Sequence, residues 1–125
     1  MPRLVRIIAH SFVAGPDVYL HAQPSNAIRA ALAKTDYGTS DLVAVEINEA
    51  FAAVAVHSVR ELAIEKSIVN SHGGAIALGH PIGASGNRIV GHLARRLQAL
   101  GRGSIGAAGI CGGGGQGSAV ILEAL

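Results

Sequence analysis

The chain has 125 residues, of which half are apolar and only 14% are charged, so it contains enough apolar material for the core of one domain. Its net charge of +2 is too small to indicate a nucleic-acid-binding protein, and no run of about 18 apolar residues predicts a membrane span. Its single cysteine excludes an internal disulfide and a cysteine-based metal site, and the histidines lack the usual zinc-ligand spacing. We therefore predict no metal and a reducing, cytoplasmic setting.

Hydrophobic periodicity predicts strands that alternate with helices along the chain. Strands are predicted over 5–13, 42–47, 68–70, 104–110 and 118–123, and helices from 23, over 49–64 and over 85–100. This order predicts an α/β domain over residues 1–125, with helices on both faces of a five-stranded mixed sheet. The sheet is expected to be mostly parallel. Its last strand is expected to be antiparallel, because the loop before it is too short for a crossover.

Each of the three helices carries a further expectation. Ser25 is the predicted N-cap of the first helix. The second helix is apolar nearly all round over its first three turns, which predicts that it is buried. On the third helix, the pair Arg95 and Arg96 is predicted to lie on a solvated face.

Residues 73–86 form the most distinctive segment of the sequence. They contain five glycines around the tripeptide Gly79-His80-Pro81. Glycine permits positive φ and close approach of the backbone, and a proline restricts the residue before it to extended conformations. The segment therefore predicts an imidazole presented on a tight loop at the start of a helix. Binding of an anion by the glycines of that helix start is the less favoured alternative to close packing.

Two further motifs follow predicted strands. Asn48-Glu49-Ala50-Phe51 follows the second strand, and Cys111 precedes a run of four glycines between the last two strands. Taken singly, Asn48 fits a helix N-cap, Phe51 a core residue and Cys111 a buried structural thiol. Taken together and in this order with the Gly-His-Pro motif, the segments resemble the C-terminal half of the thiolases, the family of acetyl-CoA acetyltransferases and 3-ketoacyl-CoA thiolases.

The resemblance covers roughly the whole chain and implies a thiolase-like α/β fold with four catalytic positions. Cys111 matches the family's acid/base cysteine, which exchanges a proton with the α-carbon of the substrate. His80 matches the histidine that donates to the thioester oxygen, and Asn48 matches the asparagine that holds a water in the enolate oxyanion hole. The backbone N–H of Gly113 matches one donor of a second oxyanion hole. Because the family's nucleophilic cysteine lies in the other half, we expect these residues alone to be inactive.

The resemblance also identifies substrate-binding positions. Ala50 and Phe51 match residues that line the pantetheine channel. Leu20 stands where many thiolases have the methionine of a Met-Gly-x-Gly-Pro motif, so the acyl chain length stays open. Coenzyme A is then part of the substrate, and no other cofactor is implied. Glu49 is expected to be structural, hydrogen-bonded near His80.

The predicted function is that of the C-terminal half of an acyl-CoA C-acetyltransferase in fatty acid metabolism, completed by an N-terminal half that carries the nucleophile. The alternative is a non-catalytic, homodimeric interaction module with a vestigial half-site, in which the surface facing the N-terminal half is covered by a second copy. A ketoacyl-synthase-like condensing protein is less favoured, because those enzymes use two histidines, whereas the motifs of this chain supply one histidine, His80, together with Cys111.

Overall fold

The computed structural model describes residues 3–125. Four strands and four helices follow one another along the chain, joined by short 3₁₀ turns at Thr39–Asp41 and Lys66–Ile68. The strands are β1 (Val5–Ala14), β2 (Leu42–Ile47), β3 (Ile105–Gly112) and β4 (Gln116–Ala124). The helices are α1 (Gln23–Leu32), α2 (Ala52–Leu62), α3 (Ala75–Leu78) and α4 (Ile82–Leu100). No helix in residues 3–125 has the length and apolar character needed to cross a membrane.

The strands form one mixed sheet in the order β1-β4-β3-β2. β2 pairs with β3 in parallel, whereas β4 is antiparallel to both of its neighbours, β1 and β3. β1, β2 and β3 therefore run in one direction and the last strand runs against them. The predicted antiparallel last strand is confirmed.

The predicted fifth strand at residues 68–70 is wrong, because the sheet has four strands. This segment reaches β2 through a single parallel bridge between Val45 and Val69. The next residue, Asn70, has a left-handed φ of 45°, which turns the chain away from the sheet. Its side chain then replaces the main chain of a strand: the Ile47 N–H donates to Asn70 Oδ1 at 2.9 Å, and Asn70 Nδ2 donates to the Ile47 carbonyl at 2.8 Å.

Helices cover both faces of the sheet, as predicted. On one face, α1 and α2 bury apolar residues that include Ile28, Leu32, Val54 and Leu62. On the other face, α4 packs a separate cluster that includes Ile89, Leu93 and Leu97. α1 and α2 each bury two large aliphatic side chains, and α4 buries three; burial of each such side chain contributes about 2 kcal/mol.

Three local predictions are wrong. α1 begins at Gln23 with Ala22 at its N-cap, and Ser25 lies inside the helix, where its hydroxyl donates to the Ala22 carbonyl. α2 is not buried all round: its buried residues are Val54, Ser58 and Leu62, because only one face of the helix packs against α1 and the core cluster that α1 shares with the sheet.

Arg96 is buried rather than solvated. Its guanidinium lies 2.6 Å from Glu46 Oε1, and it donates to the carbonyls of Val45 and Ile68 at 3.1 and 2.9 Å. Glu46 is 1% exposed and Arg96 8%. The ion pair therefore joins β2, α4 and the 66–70 segment, while Arg95 faces solvent.

Candidate functional site

One cavity of about 340 Å³ brings most of the sequence-predicted site residues together. Leu20, Ala50, His80, Cys111 and Gly113 all line it. They reach it from four places: the β1–α1 loop, the segment after β2, the loop before α4, and the end of β3 with the turn that follows. Its other lining residues are Phe12, Ile82, Ile110, Gly112, Gln116, Gly117 and Ser118.

The imidazole of His80 is held by the hydroxyl of Ser85, a residue that the sequence motifs did not mark. Ser85 is fully buried, and its Oγ lies 2.6 Å from His80 Nδ1 and 3.1 Å from the Pro81 carbonyl. A hydroxyl has one proton to donate. The proton can go to only one of these two acceptors: donated to His80 Nδ1, it leaves the proton of the neutral ring on Nε2, and donated to the Pro81 carbonyl, it makes Nδ1–H the donor to Ser85 Oγ. The only signal in the sequence is a serine five residues after the histidine, in the first turn of a glycine-rich helix start.

Asn48 lies directly after β2 and is 0% exposed. Its backbone N–H donates to the Gly109 carbonyl at 3.0 Å and so extends the pairing of β2 with β3. Its Nδ2 lies 3.4 and 3.5 Å from the two ring nitrogens of His80. Because the two distances are nearly equal and long, the amide lies beside the ring without a short hydrogen bond to either nitrogen. Its Oδ1 is buried and accepts no hydrogen bond within residues 3–125.

Cys111 lies near the end of β3, opposite Gly117 of β4. The thiol is half buried, and desolvation raises its pKa above the ordinary value, although a backbone hydrogen bond partly offsets this shift. A buried thiol in an apolar wall is protonated at neutral pH. Within this chain, Cys111 is therefore in the acid form.

Gly113 begins the turn between β3 and β4, and that turn packs tightly against the β1–α1 loop. The N–H of Gly15 donates to the Gly115 carbonyl at 3.0 Å. A Cβ at Gly115 would overlap the Asp17 carbonyl oxygen, and the φ of Gly115 is +72°. Only glycine satisfies both conditions. The turn that carries the Gly113 N–H is thus fixed by backbone contact with the loop that carries Leu20.

Phe51 lies outside the cavity. Its side chain is 65% exposed and lines an adjoining shallow pocket with Val18, Tyr19 and Leu20. Leu20 belongs to both depressions. The two are therefore parts of one surface, and Phe51 is placed at its outer rim.

Glu49 is hydrogen-bonded to the segment that leads to His80, and among the hydrogen bonds of residues 3–125 it makes none to His80 itself. Its carboxylate accepts hydrogen bonds from Asn70 Nδ2 and from the Ile76 N–H, both at 3.0 Å. Asn70 was not identified from the sequence, in which nothing marks it apart from its place two residues before His72 and the glycine run. Both residues hold the segment that leads to His80.

Comparisons with known proteins identify the family. The family model described as "Thiolase, C-terminal domain" matches residues 1–124. A probable acetyl-CoA acetyltransferase of Mycobacterium tuberculosis is 54% identical over 121 residues, which are 97% of this chain and 30% of that protein.

Solved structures give the same result. The chain superposes on a Bacillus anthracis acetyl-CoA acetyltransferase with a TM-score of 0.92 and 37% identity, covering 100% of this chain and 32% of that one. A human mitochondrial 3-ketoacyl-CoA thiolase in complex with CoA gives a TM-score of 0.92 and 38% identity, covering 99% of this chain and 31% of that one.

The chain thus spans about a third of the length of the curated relatives and solved structures that it matches. The chain belongs to the thiolase family, and residues 1–124 correspond to its C-terminal domain.

Proposed function

We propose that this domain supplies the acid/base and oxyanion-binding half of an acyl-CoA C-acetyltransferase site. The observation that carries the proposal is the convergence of His80, Cys111 and Gly113 on one cavity, with the buried Asn48 against the His80 ring. A thiolase needs a proton carrier and charge-stabilising donors around one carbon–carbon bond. This cavity offers both kinds of group.

In this proposal Cys111 handles the proton at the α-carbon. During thiolysis, cleavage of the bond between the α- and β-carbons leaves an enolate of acetyl-CoA, and the Cys111 thiol returns a proton to its carbon. In the condensing direction the thiolate removes that proton. The raised pKa of the Cys111 thiol favours the first role, so the second requires a cationic or hydrogen-bonding neighbour that substrate or partner brings to the cavity.

Two sets of donors stabilise the negative oxygens. His80 donates to the enolate oxygen, and Asn48 assists through a water. The orphaned, buried Oδ1 of Asn48 supports this role, because buried acceptors are normally satisfied by protein or ordered water. The Gly113 N–H donates to the oxygen of the tetrahedral intermediate. Each donor of this kind is typically worth ~10²–10³ in rate.

The nucleophilic cysteine would come from an N-terminal half, in the same protein or in a partner. The surface beside the cavity supports such a contact, since large apolar side chains are exposed there. Phe12, Tyr19, Phe51 and Ile82 are each at least 65% exposed and line the cavity or the adjoining pocket. Exposed apolar patches of this kind mark interaction sites. The 125 residues alone are then inactive in thiolysis.

The test is reconstitution. We would mix this chain with a recombinant N-terminal part of the Mycobacterium tuberculosis relative and assay thiolysis of acetoacetyl-CoA. The proposal predicts activity in the mixture and none in either part. His80→Ala and Cys111→Ala should each lower it at least ~100-fold, whereas His10→Asn, at an exposed position on β1, should leave it unchanged. A complex that forms but shows no thiolysis would contradict the proposal.

The second candidate, a homodimeric interaction module, is supported by the same exposed apolar surface. In that case two copies cover it, and His80 and Cys111 are vestigial. Analytical ultracentrifugation separates the two candidates. A dimer that persists at micromolar concentration and excludes the N-terminal part favours the module, whereas a monomer rules it out. We also propose a place in fatty acid metabolism and in the cytoplasm; because some relatives with this domain are named as mitochondrial, localisation of the tagged chain in cells is the test of the compartment.

A further inference from the structure

We propose that Glu49 is a positioning residue: with Asn70 and Gly74 it forms a clamp that sets the separation between Asn48 and His80. The inference rests on the proposed function for the meaning of that separation. It concerns a carboxylate that has no contact with the cavity and that the roles above leave unused.

The clamp begins at the end of β2. Asn70 is fixed there by three hydrogen bonds to main-chain groups of β2, two from its side chain to Ile47 and one from its own N–H to the Val45 carbonyl at 3.0 Å. Its Nδ2 also donates to Glu49 Oε1 at 3.0 Å. This amide therefore ties the end of the strand to the residue directly after Asn48.

The second oxygen of Glu49 reaches the segment that leads to His80. Oε2 accepts the N–H of Ile76 in the first turn of α3 at 3.0 Å. α3 is a single turn closed by hydrogen bonds from Leu78 to Gly74 and from Gly79 to Ala75. Gly79, with a positive φ of 92°, joins this turn to His80. A displacement of Ile76 therefore moves the turn and Gly79, and with them the backbone of His80.

Gly74 makes this arrangement possible. A Cβ at Gly74 would overlap the carboxylate of Glu49, and all three of the nearest atoms it would meet belong to that carboxylate. The backbone of Gly74 is extended, so alanine is sterically acceptable there in every other respect. An alanine there would require the Glu49 carboxylate to move away from the Gly74 backbone, and so to give up the positions from which it accepts its two hydrogen bonds.

The consequence is a fixed relation between neighbours in the site. Asn48 precedes Glu49 in the sequence, and Asn48 Nδ2 lies 3.4 Å from the His80 ring. With Glu49 bound to both Asn70 and Ile76, neither side can move without breaking a charge-assisted hydrogen bond. We expect the loss of the clamp to leave the fold intact and to free the His80 ring.

The experiment is nitrogen NMR of the histidine rings in the full 125-residue chain, with amide hydrogen exchange measured on the same samples. The variants are Glu49→Ala, Gly74→Ala and the double variant, with Glu49→Gln as a milder change that keeps the shape and loses one acceptor. Glu61→Ala is the matched control, since Glu61 is an exposed carboxylate on α2 paired with Arg29.

In Glu49→Ala we expect the His80 Nδ1 and Nε2 shifts to move towards averaged tautomers and the exchange rate of the Ile76 amide to rise about tenfold or more. Exchange at the core residue Ile121 should not change. Gly74→Ala should show the same His80 shifts, and the double variant should be no worse than Glu49→Ala, because the added methyl group occupies the space of the missing carboxylate.

Two results would overturn the inference. One is an unchanged His80 ring spectrum in a folded Glu49→Ala chain, even if the Ile76 amide loses protection. The other is a Gly74→Ala effect that adds in full to that of Glu49→Ala, since the overlap would then involve other atoms. None of these measurements needs acyl transfer, so their failure leaves the proposed function standing, and a failed reconstitution leaves the clamp standing.

Discussion

The two walls of the candidate site are held in place by different means. The wall that carries Asn48 and His80 depends on polar side chains, namely Glu49, Asn70 and Ser85. The wall that carries Cys111 and Gly113 depends on close backbone packing of the glycine run against the β1–α1 loop. Side-chain bonds fix the orientation of an imidazole and an amide, which have directional donors and acceptors. Backbone contact is sufficient for a thiol and a main-chain N–H.

We expect the largest effect on stability at the buried ion pair between Glu46 and Arg96, which supports the wall that carries Asn48 and His80. Arg96→Met leaves Glu46 charged, buried and without its main partner. Breaking a buried pair in this way costs about 3–5 kcal/mol in the free energy of unfolding, measurable by urea denaturation.

The double variant Glu46→Gln/Arg96→Met is the control for that change. It removes the charge together with its partner and should recover much of the lost stability. A loss below about 1 kcal/mol in Arg96→Met would mean that the pair behaves like a surface contact, and that the wall that carries Asn48 and His80 does not depend on it.

Gly115→Ala tests the wall that carries Cys111 and Gly113. The new methyl group would overlap the Asp17 carbonyl at a φ of +72°, so we expect a loss of about 2–3 kcal/mol and altered labelling of Cys111. Gly103→Ala is the matched control, with a φ of +83° and nothing within 4 Å of the new Cβ, and should cost about 1 kcal/mol. Equal losses in the two variants would show that the contact with Asp17 contributes nothing.

The smallest effect concerns the protonation of Cys111. Burial disfavours the thiolate and raises the pKa of the thiol in the folded chain, so alkylation by iodoacetamide should reach half-maximal rate above the value of about 8.5 for a free thiol. At pH 8 the folded chain should react severalfold more slowly than the urea-unfolded chain, in which the thiol is solvated. A midpoint below that of the unfolded chain would indicate a cationic neighbour instead of an apolar wall.

The sequence predicted the parts of the site that depend on local pattern. The strand at 42–47 and the helix that ends at Leu100 were identified from apolar spacing. Two of the three motifs meet because Asn48 follows β2 and Cys111 lies near the end of β3, and the carboxyl ends of these neighbouring parallel strands lie at one edge of the sheet. Once the fold is α/β, that meeting follows from topology.

The parts that were missed depend on partners distant in the sequence. The burial of Arg96 requires Glu46, 50 residues earlier, and one of two adjacent arginines gives no sign of such a partner. The fifth strand is absent because the side chain of Asn70 takes the hydrogen bonds that a strand would have made. Apolar spacing likewise predicted a buried α2, because it does not show whether a second layer is present to cover the outer face.

The substitution of a side chain for a strand at Asn70 also bears on how the sheet ends. β2 is an edge strand, and edge strands with free N–H and C=O groups recruit strands from other molecules. Asn70 occupies the Ile47 N–H and carbonyl and the Val45 carbonyl. At the opposite edge, the ammonium group of Lys34 donates to the His10 carbonyl of β1. One amide and one lysine thus occupy hydrogen-bonding groups of the two edge strands, which disfavours the pairing of these edges with strands of other molecules.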